Sequence, residues 1–479
     1  MAVDWDRSWR DRGIRVAETV KIGGIVSVRP GSTLANRLSA LFSQSDASGA
    51  VMAFMVRIAG AGLGYLLHIL LARLLGASEF GLWATSWTLL LVVGHAASFG
   101  FSESVVRFYT AYAARSEWAR AKAFLVFGSI FSIAFGCALA AFAWAALLFM
   151  GAELPDGMTA PLMFAALALP FFAFQDCLEG IARAFGRPVL ALAPVYVLRP
   201  CLIAVLLTGI AMSAQGADAD ADAGAAMAAT FVAIVIATLL QALLVWRAAP
   251  GPVRKAKPDH LPAEWIKGSA PLAAVFLVDQ LAAYADILAL AIFASAADTG
   301  AYFAAARIIA LAGLAPYAVS VIAGRGYALH HARNDAAELY ALVRRTTRCT
   351  FWASCALLVL LVLAGPVLLA MFGRDFQSAA PCLILLGLGL VARAAGGHAE
   401  ELLIALGHQR ENVRIAVVSA VAAVLLTFLA AAAFGPAGAA AAMMCAWSIR
   451  SLLFVRSARR LTGIYTGLGR DTFSGVSSH

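Results

Sequence analysis

Several arginines and aspartates lie inside long apolar runs of this sequence, where charged side chains are unusual. The arginines are Arg57, Arg199, Arg307 and Arg393, and the aspartates are Asp279 and Asp286. A charged group at membrane depth is costly, and it usually faces an internal cavity or another charge. A guanidinium can hold an anion through two parallel hydrogen bonds, whereas a carboxylate can bind a proton or a sodium ion. We therefore take these positions as candidate functional residues.

The first apolar run presents Arg57, Gly60, Gly64 and His68 at helical spacing. Residues three or four apart share one face of a helix. Two interpretations fit this face: it lines a cavity, or its small residues let another helix approach closely. His68 is correspondingly either a residue that contacts substrate or relays protons, or a hydrogen-bonded core histidine.

Asp279 and Asp286 are seven residues apart and therefore share a helical face, and Arg307 follows in the next apolar run. Asp286 and Arg307 allow two interpretations. They form a buried ion pair that serves packing alone, or a pair that opens when a phosphate or a cation competes for it.

Other charges lie nearer the ends of their runs. Glu103 and Arg107, like Glu179 and Arg183, are four residues apart, and this spacing predicts local salt bridges. Arg199 lies near the middle of its run.

For Arg199 we expect either a place on the cavity wall or a bridge to Asp176 or Glu179. We expect Arg450, near the end of its run, to extend its charged head to the membrane surface.

The elements that must position these residues are transmembrane helices. The 479 residues are 62% hydrophobic and 13% charged, with a mean hydropathy of +0.84, whereas soluble domains are about 25% charged. Twelve apolar segments are each long enough to cross about 30 Å of hydrocarbon. They cover residues 50–75, 82–111, 122–150, 159–184, 188–212, 224–248, 267–296, 299–324, 346–372, 377–406, 412–434 and 436–458.

Lysine and arginine are distributed unevenly between the two sets of connecting loops. With both termini in the cytosol, nearly all loop lysines and arginines fall on the cytosolic side, as membrane proteins require. The net charge of +9 therefore reflects membrane topology, and we expect no nucleic-acid partner.

The predicted organisation has five parts. A basic cytosolic tail (1–47), rich in arginine and suited to anionic lipid, precedes a six-helix N-lobe (48–248). A Pro- and Lys-rich cytosolic linker (249–265) leads to a six-helix C-lobe (266–460), and a short cytosolic tail (461–479) ends the chain. We expect the linker to be extended. The Asp-rich segment 215–224 reads as a solvated external loop, because it lacks the spacing of a calcium loop.

The two lobes resemble each other in sequence. The turn that contains Glu79 and Gly81 returns as Asp298 and Gly300, 219 residues later, and Trp83 then corresponds to Tyr302. Repeats at nearly constant spacing indicate two homologous halves. The sequence therefore predicts an all-α polytopic membrane protein with about twelve helices in two homologous six-helix lobes.

The sequence from Leu70 onward, LLARLLGASEFGLWATSWTLLLVVGHAASFGFSESVVRF, resembles a known family. It is similar to the polysaccharide transporters, or oligosaccharide flippases, of the multidrug/oligosaccharidyl-lipid/polysaccharide exporter superfamily. Further similar motifs follow in the family's order, and the resemblance extends from about Ser48 to Arg460. They are 284–288 (YADIL), 299–302 (TGAY), 372–376 (FGRDF), 402–407 (LLIALG) and 435–440 (GPAGAA).

The resemblance implies two lobes around a central cavity that work by alternating access. It also implies transport of a polyprenyl-diphosphate-linked oligosaccharide across the bacterial inner membrane for surface polysaccharide synthesis. On this interpretation the substrate-binding residues are Arg57, His68, Arg199, Arg307 and Arg393, and the ion-coupling residues are Asp279 and Asp286. Arg57 and Arg307 together would hold the diphosphate. The expected partners are the lipid-linked oligosaccharide, membrane lipid, a coupling proton or sodium ion, and a polysaccharide polymerase with its export machinery.

Other interpretations remain open at this stage. A drug/cation antiporter of the same superfamily would typically carry an acidic residue and a proline in its first helix, and residues 51–75 contain neither. A lipid II flippase would typically need two further helices, and a non-transporting scaffold would tolerate loss of the buried charges. We expect no enzyme activity, no metal and no cofactor, because the loops are short and no phosphate-binding Walker loop is present.

Overall fold

A computed structural model describes residues 45–150, 153–214, 222–259 and 264–468. Helix makes up 89% of the structure, which has no strand. The helices are α1 (Ser45–Ala97), α2 (Phe101–Ala114), α3 (Trp118–Met150), α4 (Thr159–Ala184), α5 (Pro188–Ala193), α6 (Arg199–Ala214), α7 (Ala223–Ala248), α8 (Gly251–Lys255), α9 (Glu264–Ala283), α10 (Ala285–Phe293), α11 (Ala296–Ala312), α12 (Leu314–Ala332), α13 (Ala336–Ala370), α14 (Ala380–Ala395), α15 (Ala399–Ala405) and α16 (Gln409–Thr462).

In the described part of the chain, ten helical stretches are long and apolar enough to cross a membrane. Two of these contain a non-helical glycine, Gly76 in α1 and Gly435 in α16. Both glycines lie where the sequence predicts a turn between spans, and dividing the chain there gives twelve segments. The prediction of an all-α polytopic membrane protein is confirmed.

Several spans are broken within their length. α2 starts after Gly100 (φ 69°), a π turn at Pro194–Leu198 separates α5 from α6, and Gly397 (φ 67°) lies between α14 and α15. α10 begins after Tyr284, and α12 begins after Gly313. Irregular backbone at membrane depth is tolerated where it is buried in protein or lines a cavity. These breaks carry the candidate residues, because Arg199, Asp286 and Arg393 each lie at a helix end beside one.

The two halves of the chain meet backbone to backbone at Gly81 and Gly300. A Cβ on Gly81 would overlap the carbonyl oxygen of Ala296, and a Cβ on Gly300 would overlap that of Ala77. Fully buried aromatic rings, among them Trp83 and Tyr302, surround this contact. The positions that the 219-residue repeat equates are thus in direct contact.

Arg73 strengthens the same junction. Its Nε donates to the carbonyl of Met371 at 2.7 Å, and its Nη2 donates to that of Ala370 at 3.1 Å. These are carbonyls at the end of α13, where a helix has unsatisfied acceptors and a partial negative charge.

A second junction joins α2 to α9. The Ser269 hydroxyl donates to that of Ser104 at 2.9 Å, and the Trp265 indole donates to the Tyr112 hydroxyl at 3.0 Å. A Cβ on Gly100 would lie 2.8 Å from the Ala273 nitrogen. All of these contacts lie within Gly49–His479, which forms one compact unit.

Part of the predicted extended linker is helical. α8 occupies Gly251–Lys255, and the Lys122 ammonium donates to the carbonyls of Arg254 and Ala256 at 2.9 and 2.8 Å. Most of the basic tail and most of the Asp-rich loop lie outside the described residues, as does 469–479.

Candidate functional site

A cavity of about 580 Å³ opens among the helices of the second half. The cavity is lined by residues of α9, of α11 to α16, and by Arg57 of α1. Its charged and histidine lining comprises Arg57, Arg393, Arg450, Asp279, Glu400, Glu401 and His398. Three of the seven predicted site residues, Arg57, Arg393 and Asp279, therefore line the same cavity.

Arg450 connects two carboxylates in this cavity. Its Nη1 lies 3.3 Å from Oδ1 of Asp279, and its Nη2 lies 3.3 Å from Oε2 of Glu400. The expectation that Arg450 extends to the membrane surface is therefore wrong, because the two carboxylates hold it inside. Sequence reasoning missed Arg450 and Glu400 as site residues, although Glu400 and Glu401 in an apolar run were a signal.

Arg57 faces the cavity from the opposite half. Its guanidinium lies 4.9 Å from the ring centre of Tyr317 and 5.7 Å from that of Tyr196, and it donates to the Tyr317 hydroxyl at 3.3 Å. Among the described residues no carboxylate pairs with it. Gly60, one turn along, packs against Tyr196. The face shared by these residues is thus cavity wall at Arg57 and packing surface at Gly60.

Arg393 is exposed at the end of α14. Within the described ranges it also makes no ion pair with a carboxylate. The cavity therefore carries two guanidiniums whose charge no carboxylate neutralises directly, in addition to the compensated Arg450.

Asp286, Arg307 and His68 lie elsewhere, in the aromatic core. Asp286 accepts from the Tyr302 hydroxyl at 2.9 Å and from the Ile287 amide at 2.8 Å. Arg307 lies 4.4 Å from the ring centre of Phe303. The Asp286–Arg307 ion pair that the sequence suggests is not formed, because Tyr302 already satisfies the aspartate.

His68 belongs to the same group. Its ring contacts the Gly64 carbonyl and lies 5.3 Å from the Phe303 ring, so His68 and Arg307 share a neighbour. Of the two alternatives for His68, the structure shows a hydrogen-bonded histidine in the core.

Arg57 and Arg307 lie at different depths. His68 follows Arg57 by eleven residues, about 16 Å along a helix at 1.5 Å per residue, and His68 and Arg307 both contact Phe303. Arg57 contacts Tyr196 and Tyr317 at the cavity, whereas Arg307 lies over Phe303 in the aromatic core.

Arg199 is held in the first half. It donates to Gln175 at 3.2 Å and lies over the rings of Trp87 and Phe172, with its Cζ 5.2 and 5.6 Å from their centres. Of the two alternatives for Arg199, the bridge to Asp176 or Glu179 is not formed, because Gln175 is its hydrogen-bond partner.

The local salt bridges are formed only in part. Arg183 lies 4.0 Å from Glu179, as the spacing predicts. Glu103, however, pairs with Arg183 at 3.0 Å instead of with Arg107.

The comparisons with known proteins agree with this architecture. A family model described as "Polysaccharide biosynthesis protein" matches residues 47–323. No curated protein sequence matches the chain.

The chain is similar to several solved structures, each at 15% sequence identity. An inward-facing multidrug resistance MATE family transporter of the MOP superfamily aligns over 86% of this chain and 97% of its own, with a TM-score of 0.68. The lipid II flippase MurJ, in an inward closed conformation, aligns over 86% and 87%, also with a TM-score of 0.68. A MOP superfamily transporter from Pyrococcus furiosus, described as having a binding pocket of reverse polarity, aligns over 88% and 96%, with a TM-score of 0.61. At this identity the likeness establishes the fold.

Proposed function

Since the chain belongs to the polysaccharide biosynthesis protein family, we propose that it is a flippase. Its substrate is a polyprenyl-diphosphate-linked oligosaccharide destined for a surface polysaccharide: O-antigen, capsule or exopolysaccharide. Its location is the bacterial inner membrane, with both termini in the cytosol. The fold shared with the lipid II flippase MurJ supports this proposal.

The observation that carries the proposal is the pair of unneutralised guanidiniums in the cavity, Arg57 and Arg393. The sugar and diphosphate of such a lipid cannot cross hydrocarbon unaided, because polar groups lose their water there. An arginine fork replaces part of that hydration with two charge-assisted hydrogen bonds. The prenyl chain stays in the surrounding membrane lipid.

The remaining predicted residues act, on this proposal, at other stages. Arg307, with His68 beside it, receives the diphosphate deeper in the protein after a conformational change, and Arg199 contacts the head group from the first half. Asp279 couples transport to a proton or sodium ion through its bond to Arg450, and Asp286 does so through Tyr302. The product passes to a polymerase and its export machinery.

A drug/cation antiporter is the second candidate. Three carboxylates, Asp279, Glu400 and Glu401, line the same cavity, and the similarity to a multidrug resistance transporter covers 97% of that chain. Against this candidate, Arg450 contacts two of the three carboxylates, and the lining carries two further arginines, Arg57 and Arg393, that suit an anionic substrate.

Transport in proteoliposomes tests the proposal. Undecaprenyl-diphosphate-linked oligosaccharide is loaded on one face, and its appearance on the other is measured with a membrane-impermeant lectin. A charged hydrogen bond contributes about 1.5–3 kcal/mol, so Arg57→Ala or Arg393→Ala should each slow transport by about tenfold to a hundredfold.

Arg410→Ala is the matched control, because Arg410 is an exposed arginine outside the cavity lining. It should transport at the normal rate. Absence of lipid transport, together with efflux of a cationic dye, would favour the antiporter and overturn the proposal.

A further inference from the structure

His95 lies where the two halves of the chain meet on one side of the molecule. It is near the end of α1, half-buried, and in contact with α4 and α9. Its Nδ1 lies 2.6 Å from the Leu91 carbonyl and 3.1 Å from Nε2 of Gln280, and its Nε2 lies 4.0 Å from Oδ1 of Asp176. The rings of Phe172 and Phe276 enclose it, with centres 5.0 and 5.5 Å away.

These partners cannot all be satisfied by one protonation state. The Leu91 carbonyl only accepts, so it needs a proton on Nδ1. The Gln280 amide nitrogen only donates, so it needs a lone pair on the same Nδ1. The Asp176 carboxylate favours a proton on Nε2, and its other oxygen is buried without a partner.

Each state of the ring therefore selects a different set of bonds. The neutral ring with its proton on Nε2 accepts from Gln280 and joins α1 to α9. The doubly protonated ring donates from Nδ1 to Leu91 and directs Nε2–H at Asp176, and both partners belong to the first half. Nε2–H faces Asp176 in both of these states, so protonation exchanges the Gln280 bond between the halves for the Leu91 bond within the first half.

We propose that His95 is a proton-binding residue that controls the junction between α1–α2 and α9. Without the extra proton, His95 holds Gln280 and the junction is closed. With the proton, Gln280 is released and the junction loosens. The idea that His95 carries the coupling proton of transport rests on the proposed function. The pH dependence of the junction does not rest on it.

The charges around the ring are consistent with this role. α4 contributes Asp176 and, one turn later, Glu179; Arg199 of α6 lies on Phe172, the residue that covers His95. α9 contributes the uncharged Gln280, whose neighbour Asp279 is bonded to Arg450. Histidine side chains change charge between about pH 5 and 8. A group whose partners differ between two conformations shifts their populations on protonation.

Disulfide formation between α2 and α9 tests the proposal without any substrate. In a variant with the seven native cysteines replaced by serine, Ser104→Cys and Ser269→Cys place two thiols where hydroxyls are now 2.9 Å apart. The rate of oxidative cross-linking is measured at pH 8 and pH 6, with His95 and with His95→Gln.

The cross-linking rate at pH 8 divided by the rate at pH 6 should be about fivefold larger with His95 than with His95→Gln. A factor of this size is typical of coupling between two sites. The intrinsic pH dependence of thiol oxidation is the same in both backgrounds and cancels. Glutamine keeps a hydrogen-bonding partner for Gln280 but cannot take up the proton. Equal ratios in the two backgrounds would overturn the proposal.

Three further variants separate this role from a merely structural one. Gln280→Leu should cross-link slowly at both pH values, and Asp176→Asn should move the drop to lower pH, because the protonated ring loses its counter-charge. His330→Gln is the matched control, because His330 also faces an aspartate at 4.0 Å but lies away from this junction. This variant should keep the full pH dependence.

If His95→Gln fails to accumulate, the test uses Gln280→Leu and Asp176→Asn instead. Cross-linking rates equal to those of the unaltered junction in both variants would contradict the proposal. If the protein with His95 shows this pH-dependent cross-linking but transports no lipid-linked oligosaccharide, the proposed function is contradicted and the role of His95 at the junction is not.

Discussion

At the scale of single residues, Arg450 stabilises two carboxylates that would otherwise repel each other. We expect Arg450→Gln to lower the free energy of unfolding by about 1–2 kcal/mol, less than for a fully buried pair because all three side chains are partly exposed. Thermal unfolding in detergent measures this loss.

The compensating variant is Arg450→Gln combined with Asp279→Asn and Glu400→Gln. It should regain most of the lost stability, because no charge is left unpaired. A triple variant as unstable as the single one would show that the ion pairs are not the cause.

Asp286 gives a second expectation at this scale. Tyr302→Phe removes the hydroxyl that donates to its carboxylate in a site that is 5% exposed. An unsatisfied buried acceptor costs about 1–3 kcal/mol, so the melting temperature should fall. Asp286→Asn keeps an oxygen that accepts from the Ile287 amide, and its amide nitrogen can donate to the Tyr302 hydroxyl, so it should be milder; the opposite order would contradict this account.

These two sites show what sequence alone can give. Charges inside apolar runs identified Asp279, Arg57 and Arg393, because a charge within an apolar run is visible in a single sequence. The partner of Asp279 was not visible, since Arg450 is 171 residues away, and helical spacing reveals only neighbours on one helix. For the same reason Glu103 was assigned to Arg107 on its own run, although Arg183 of another helix takes it.

At the scale of helices, the close crossing of α1 and α11 depends on glycine. Gly81→Ala should prevent normal packing, because the added methyl group would overlap the Ala296 carbonyl, and overpacking costs about 1–3 kcal/mol or more. The yield of monodisperse protein and its melting temperature measure the effect.

Gly62→Ala is the control on the same helix. Nothing lies within 4 Å of a Cβ at Gly62, so alanine should be neutral or stabilise the helix by up to about 1 kcal/mol. Equal effects of the two substitutions would show that backbone flexibility, and not the crossing, is responsible.

The existence and type of the helices followed from hydropathy, whereas their interruptions did not. The segment 299–324 was expected as one span, yet α12 starts anew after Gly313. Likewise, α10 starts after Tyr284, inside the predicted span 267–296. A break of this kind leaves backbone N–H and C=O groups without their helical partners. Whether a break forms depends on which residues of other helices pack around these groups, and the local sequence does not show those residues.

At the scale of the whole molecule, topology is the expectation to test. Reporter fusions after Lys257 and after Asp220 should report opposite sides of the membrane, with Lys257 cytosolic, because an odd number of spans separates them in the twelve-span arrangement. Alkaline phosphatase and green fluorescent protein fusions give this reading. Identical compartments for both fusions would rule out the arrangement of two six-helix lobes.

The contact of Gly81 with Gly300 has an evolutionary meaning. Equivalent residues of two copies touch each other where a two-fold axis passes, as in an isologous dimer, and this is the arrangement expected if the two halves are fused copies of one subunit. A true dimer of identical subunits would carry each cavity charge twice. Fusion removes that constraint: at the repeat spacing Asp279 corresponds to Gly60, Asp286 to Leu67, and Arg57 to Phe276. The fused chain can therefore concentrate its ionic chemistry on one side of the axis and leave the other side to packing.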